Sequence, residues 1–190
     1  ELPMVPLAHL WLPIVVSAVL VFIASSIMHV VLKYHNADYR ALPGEAEVRA
    51  VLNASRTGPG QYVVPYCADF KDMRTPEMTQ KFAEGPVGLI ILRSPGTMRM
   101  GPSLVRWFIY LLIVSFFIAY VASHVLAPGT PYLAVFRVVG AIGFLAYAAA
   151  RAQGAIWRGE PWGATIRDMI DGLIFGLLTA GAFGWLWPAA

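Results

Sequence analysis

The sequence predicts an all-α integral membrane protein with four transmembrane helices and a small α+β cytoplasmic cap between helices one and two. Three observations predict it. Of 190 residues, 58% are hydrophobic and 13% charged, against about 25% charged in a soluble domain. Four stretches reach the length of about 20 mostly apolar residues that a helix needs to cross about 30 Å of hydrocarbon. Lys and Arg collect in alternate connections, as residues held on the cytoplasmic side do. The chain is thus divided into a first helix with a short outside N-terminus (1–32), a cap and linker (33–106) and a three-helix transmembrane region (107–190).

The first span is expected from about Leu10 to Leu32, with Pro13 tolerated in its opening turn. It is too long for a secretory signal, has no basic flank before it and no small-residue cleavage pattern after it. Met4 is a candidate natural start, and Glu1, Leu2 and Pro3 would then be an appended scar. The second span is expected over Trp107–Leu126, the third over about Tyr132–Ala150 and the fourth over about Ile166–Trp187, where TIRD at Thr165–Asp168 reads as a capping box.

Orientation follows from the 14 Lys and Arg: none before the first span, ten in Lys33–Arg106, none between spans two and three, then Arg151, Arg158 and Arg167 between spans three and four. Both termini are therefore expected outside and residues 33–106 in the cytoplasm, in a multi-pass protein of the inner (cytoplasmic) membrane. Tryptophans agree, with Trp11, Trp185 and Trp187 at the outer interface and Trp107, Trp157 and Trp162 at the inner one. The net charge of +3 forms no dense basic cluster and is accounted for by orientation, so no nucleic-acid partner is expected. The bilayer is the expected partner, together with other membrane subunits or a second copy.

Between spans one and two, Ala46, Val48, Val51 and Leu52 are spaced for a helix over Glu45–Ser55. Gln61–Cys67 reads as a strand that Pro65 confines to an edge. Thr75 is the expected N-cap of a helix with Pro76 at its first position and Gly85 closing it. Pro86–Ser94 is a second strand or an interfacial segment, and the two strands could pair across the intervening helix. Ser94–Ser103 reads as a Pro- and Gly-rich linker.

The fourth span repeats small residues at Gly172, Gly176, Ala180 and Gly184, a stripe that lets another helix approach closely. Packing within the bundle is its first use, with Gly140, Gly143 and Ala146 of span three as partners, and contact with another chain its second.

Five intramembrane polar residues are candidates for chemistry: Arg137, His29, Asp171, Asp168 and His124. Arg137 lies about 8 Å deep at 1.5 Å per residue, where it either faces the bundle or a partner or snorkels to the headgroups; Tyr120, Ser123 and His124 are acceptors at similar depth. Asp168 suits a helix N-terminus. His29 and Asp171 share a depth at the inner side, where they form an interhelical hydrogen bond that fixes packing or, as the sharper reading, a proton relay or metal half-site. His35 and Asp38 are expected in solvent or among headgroups.

No catalytic set, metal site or cofactor is assigned. Cys67 with Met73, Met78, Met98 and Met100 would suit Cu(I) by softness, but they match no repeated motif and core filling is the expected use. One cysteine excludes an internal disulfide. There is no GxSxG, P-loop, GxGxxG or HExxH motif, and His29 and His124 fall at opposite depths, too far apart to share a haem. Three functions remain: an accessory or scaffold subunit of a membrane assembly, which the absent catalytic motifs favour; a small homo-oligomeric transporter or channel; and a membrane enzyme acting on a lipid or quinone with His29 and Asp171 as acid and base.

Overall fold

The computed structural model describes residues 4–97 and 99–190. Glu1, Leu2 and Pro3 lie outside the described residues, as does Met98 of the soft-metal candidates. The chain forms two compact units, a helical one (Glu1–Tyr39, Arg99–Ile156, Glu160–Ala190) and a smaller one (Arg40–Met98, Trp157–Gly159).

In the helical unit, a 3-10 turn at Leu7–Leu10 leads into α1 (Trp11–Ser26), which widens into a π-turn over Ile27–Leu32 and is followed by a 3-10 turn at Tyr34–Asp38. After the smaller unit come α4 (Met100–Val125) and α5 (Tyr132–Tyr147), then a 3-10 turn at Ala149–Arg151, α6 (Ala152–Arg158) and α7 (Trp162–Trp185). Three helical stretches, Leu7–Leu32, Met100–Val125 and Tyr132–Arg158, are long and apolar enough to cross a membrane. α7 has 24 residues but carries Arg167, Asp168 and Asp171 in its first three turns and falls outside that set, so four spans are not established by length and composition.

Two helix starts differ from expectation, and both differences trace to proline. α4 begins at Met100 rather than Trp107, because Pro102 lies in the first turn, where its missing N–H is one the helix cannot pair anyway. The last four residues of the expected linker, Met100 to Ser103, are therefore helix. α7 begins after Pro161, not at Thr165, whose hydroxyl donates back to the Pro161 carbonyl at 3.2 Å. The capping box does not form, and Asp168 falls in the second turn.

α1 packs against α4 and α7, and α5 packs chiefly on α7. The core is small and apolar, with Ala18, Val21, Leu111, Ile118, Val139 and Phe183 fully or almost fully buried. Two pairs of polar side chains inside it are hydrogen-bonded, Ser17 donating to Ser115 across α1 and α4 at 3.1 Å and the Trp107 indole to Ser25 at 3.0 Å, while the buried Tyr147 hydroxyl has no hydrogen-bond partner among the described residues. Large apolar side chains also cover the outside, among them Ile113, Phe117, Ile166, Ile170, Leu173 and Leu177. An exterior of that kind suits lipid and not water.

The glycine stripe is filled from within the chain. A Cβ on Gly172 would sit 2.6 Å from the Tyr147 carbonyl oxygen, one on Gly176 would sit 3.0 Å from the Phe144 nitrogen, and Gly140 is 3.4 Å from the Ala180 methyl by the same measure. At the far end, Gly184 faces Tyr132. α7 from Gly172 to Gly184 thus lies antiparallel along the whole of α5, and the N-terminal segment and C-terminus meet the end of α4 and the α4–α5 turn: Val5 N–H donates to the Ser123 carbonyl at 3.3 Å and Gly129 N–H to the Pro188 carbonyl at 2.8 Å.

The smaller unit is α+β. α2 (Glu45–Ala54) precedes β1 (Gly60–Val64), a 3-10 turn at Phe70–Arg74 and α3 (Pro76–Glu84), and β2 (Gly88–Leu92) pairs antiparallel with β1, Tyr62 opposite Ile90. β1 stops short of the expected Cys67 because Pro65 lacks the N–H that would extend the ladder. Thr75 caps α3, accepting from the Met78 N–H at 3.4 Å.

Candidate functional site

The site is built where α1 ends. The π-turn over Ile27–Leu32 exposes His29, whose Nδ1–H donates to the Ser25 carbonyl at 3.0 Å. Lys33 then adopts a left-handed backbone, φ 54°, a conformation that costs a non-glycine residue about 1 kcal/mol or more. That reversal turns the chain back, so the 3-10 turn Tyr34–Asp38 lies beneath the end of α1, and the His35 ring stacks on His29 with centroids 4.5 Å apart and planes 9° from parallel.

Below this turn, α7 presents Arg167, Asp168 and Asp171. His35 is buried and bridges two carboxylates: its Nδ1 lies 2.7 Å from Asp38 Oδ2 and its Nε2 lies 2.9 Å from Asp171 Oδ2. The Tyr34 hydroxyl donates to the other oxygen of Asp171. Arg167 donates through Nε to Asp38 at 2.7 Å. Burial by itself would raise the Asp38 carboxyl, but hydrogen bonds from Arg167 and His35 outweigh it and hold the group below its ordinary value. Arg151, from the turn after α5, donates through Nε to Asp168 at 3.0 Å.

The cluster forms the polar end of a cavity of about 520 Å³, with His29, Arg151, Asp168 and Asp171 in its lining. The rest of its lining is Ser25 and Ser26 of α1 and mainly apolar and aromatic side chains, among them Leu104, Trp107 and Tyr110 of α4, Tyr147 of α5 and Phe175 of α7. The Trp107 ring stacks on Tyr110 at 5.4 Å. A cavity with one wet, charged end and one apolar, aromatic body matches an amphiphile better than a small polar solute.

Several expectations are thereby located. His29 and Asp171 are brought together: one ligating atom from each of His29, His35 and Asp171 lies within 4.8 Å of the others, and these three form the candidate metal-holding group among the described residues. Asp168 is not a cap but an ion-pair partner of Arg151. His35 and Asp38, expected in solvent, are enclosed, because the left-handed step at Lys33 folds their turn onto α7. Arg137 is on the exposed face of α5. Ser123 and His124 instead make local bonds, Ser123 to the Tyr120 carbonyl at 2.8 Å and His124 to the same carbonyl at 2.7 Å. Cys67 donates to the Asp69 carbonyl.

Comparison with protein families, curated proteins and solved structures finds no match to this chain.

Proposed function

We propose that this is a four-span protein of the inner membrane, with both termini outside and residues 33–106 cytoplasmic, that binds a neutral-headed amphiphile of the quinone class between α4, α5 and α7. The observation that carries the reading is the mixed lining of the cavity, in which the aromatic side chains of Trp107, Tyr110, Tyr147 and Phe175 stand with the polar group His29, Arg151, Asp168 and Asp171.

A fourth span is supported by the pairing of α7 with α5 from Gly172 beside Tyr147 to Gly184 beside Tyr132: a helix that tracks a spanning helix end to end covers the same depth. The apolar stripe Ile166, Ile170, Leu173 and Leu177, outward on α7, gives that helix a surface for lipid. On the insertion rule, the end holding Arg151 and Arg167 is the cytoplasmic one.

A neutral head is favoured over a phosphate because both arginines of the cluster already rest on carboxylates, Arg151 on Asp168 and Arg167 on Asp38. An incoming anion would meet Asp168 and Asp171 with no uncommitted guanidinium in the cluster to offset them. A ring hydroxyl needs only a hydrogen bond, and the His29 Nε2 can accept it, since its Nδ1–H is held by the Ser25 carbonyl. Of the two surfaces an accessory or scaffold role would use, the glycine stripe packs on α5 inside the chain.

The test is a titration of the detergent-purified protein with a decyl-benzoquinone, read by tryptophan fluorescence, since Trp107 lies in the wall. Saturable quenching is expected, with a midpoint on the order of 10 μM. Trp107→Phe should remove most of it, and with the quinol form His29→Ala should raise the midpoint about tenfold, the loss of one hydrogen bond. Quenching that rises without saturation, equally in wild type and Trp107→Phe, would overturn the reading, because it reports partition into the micelle.

A further inference from the structure

The hydrogen-bond directions around His35 leave a gap in the site's chemistry. The Asp38 carboxylate, held by Arg167, is acceptor-only, so the His35 Nδ1 that lies 2.7 Å away carries the proton. In the neutral ring the opposite nitrogen, Nε2, is then a bare lone pair. It faces Asp171 Oδ2 at 2.9 Å, and that carboxylate already accepts the Tyr34 hydroxyl on its other oxygen. Two acceptors at that distance require something between them, either a proton, carried by the ring or by the carboxyl, or a metal ion.

His29 points to the metal. Its Nδ1–H is committed to the Ser25 carbonyl, which fixes Nε2 as its lone-pair nitrogen. Both imidazoles are therefore oriented by an outer acceptor on one nitrogen, with the other free. Metal-ligating histidines are held in this way, by a carboxylate or a backbone carbonyl on the far nitrogen. One ligating atom from each of the three residues lies within 4.8 Å of the others, and an ion with bonds of about 2.1 Å sets its donors about 3.4 Å apart, so closure needs movements of about 1 Å and a rotation of the exposed His29 ring out of its parallel stack on His35.

We propose that His29, His35 and Asp171 bind one first-row divalent transition-metal ion of the Zn²⁺ type at the polar end of the cavity. Two imidazoles and a carboxylate are a borderline nitrogen and oxygen set, unlike the all-oxygen cages of Mg²⁺ and Ca²⁺ or the sulfur ligands of Cu(I). Three protein ligands leave a coordination position open, and the exposed His29 places it at the cavity mouth. The assignment stands on the cluster alone and does not need the cavity to bind a quinone.

The full chain, purified in detergent through a non-histidine tag and stripped with chelator, is titrated with Zn²⁺ by calorimetry and with Co²⁺ by visible spectroscopy. About one ion per chain is expected, with the d–d absorption of a site of low coordination number. His29→Gln, at an exposed side chain whose loss leaves the core intact, should weaken binding about 100-fold. Asp38→Asn, which touches no ion, should weaken it about 10-fold to 100-fold as a positioning residue. Wild-type protein that takes up no Co²⁺, or a His29→Gln/His35→Gln variant that binds it as tightly as wild type, would overturn the assignment and leave a proton between His35 and Asp171. Neither outcome bears on quinone quenching, which is read without metal.

Discussion

Arg137 and His35 show how far the setting of one side chain departs from its position in the chain. Arg137 is well inside an apolar helix yet points outward from α5, where its stem can run along the helix to the headgroups. Because its loss breaks no packing inside the chain, Arg137→Leu should leave thermal stability in detergent almost unchanged, within about 0.5 kcal/mol; a drop of several degrees in Tm would place the guanidinium in a structural contact. His35 is the opposite case, a residue beyond the membrane by count but enclosed by fold. The pairing of His29 with Asp171 was legible because both fall one or two turns from a helix end, and helical rise converts sequence distance to depth. His35, Asp38 and Tyr34 were not legible, since their placement depends on one left-handed step at Lys33. Lysine carries no signal for that conformation, as glycine or asparagine would. The only hint was local: a short polar run, KYHNAD, between an apolar helix and the first cap residues.

Among the helices, the α5–α7 seam holds the site together, since it fixes Arg151 and Asp171 on adjoining elements. Its closeness depends on the absence of side chains at Gly172, Gly143 and Gly176. A Cβ at Gly172 would meet the Tyr147 carbonyl oxygen at 2.6 Å and Ala148 Cα at 2.8 Å, both backbone atoms that cannot swing aside. Gly172→Ala should therefore destabilise by about 1–3 kcal/mol, a fall in Tm of roughly 2–12 °C. Gly181→Ala is the matched control: its Cβ would meet only the Tyr132 hydroxyl, at 3.9 Å, and the gain in helix propensity should leave stability equal or higher. Near-UV circular dichroism on heating distinguishes them, and equal behaviour of the two variants would remove the seam from the account. The seam's residues were readable because four small side chains at a spacing of four can only share one helix face. Where α4 and α7 begin was not, since Pro102 and Pro161 read as breaks in a linear scan and act as helix starts in the fold.

Across the whole molecule, three separate pieces of chain gather at one end of the helical unit. Val5 bonds to Ser123, the Trp187 indole donates to the Ala127 carbonyl at 2.9 Å, and Gly129 bonds to Pro188. The N-terminal segment, the α4–α5 turn and the C-terminus therefore share a side of whatever membrane the helices cross, and that turn contains no Lys or Arg. The opposite end collects Arg151, Arg167 and their aspartates. In the proposed topology, charge patterning assigns the sides, while the hydrogen bonds bear only on whether the two termini agree; the two arguments are independent and can fail separately. A phosphatase reporter fused after Ala190 should be active, because that enzyme folds only outside the cytoplasm, and a fluorescent protein fused there should be dark. The same pair inserted in the α2–β1 turn, near Gly58, should give the reverse result. Matching signals at both positions would contradict an odd number of crossings between them. Inverted signals at both would keep the helical arrangement, move the His29–Asp171 cluster to the outer face, and give any ligand of that cavity access from the opposite leaflet.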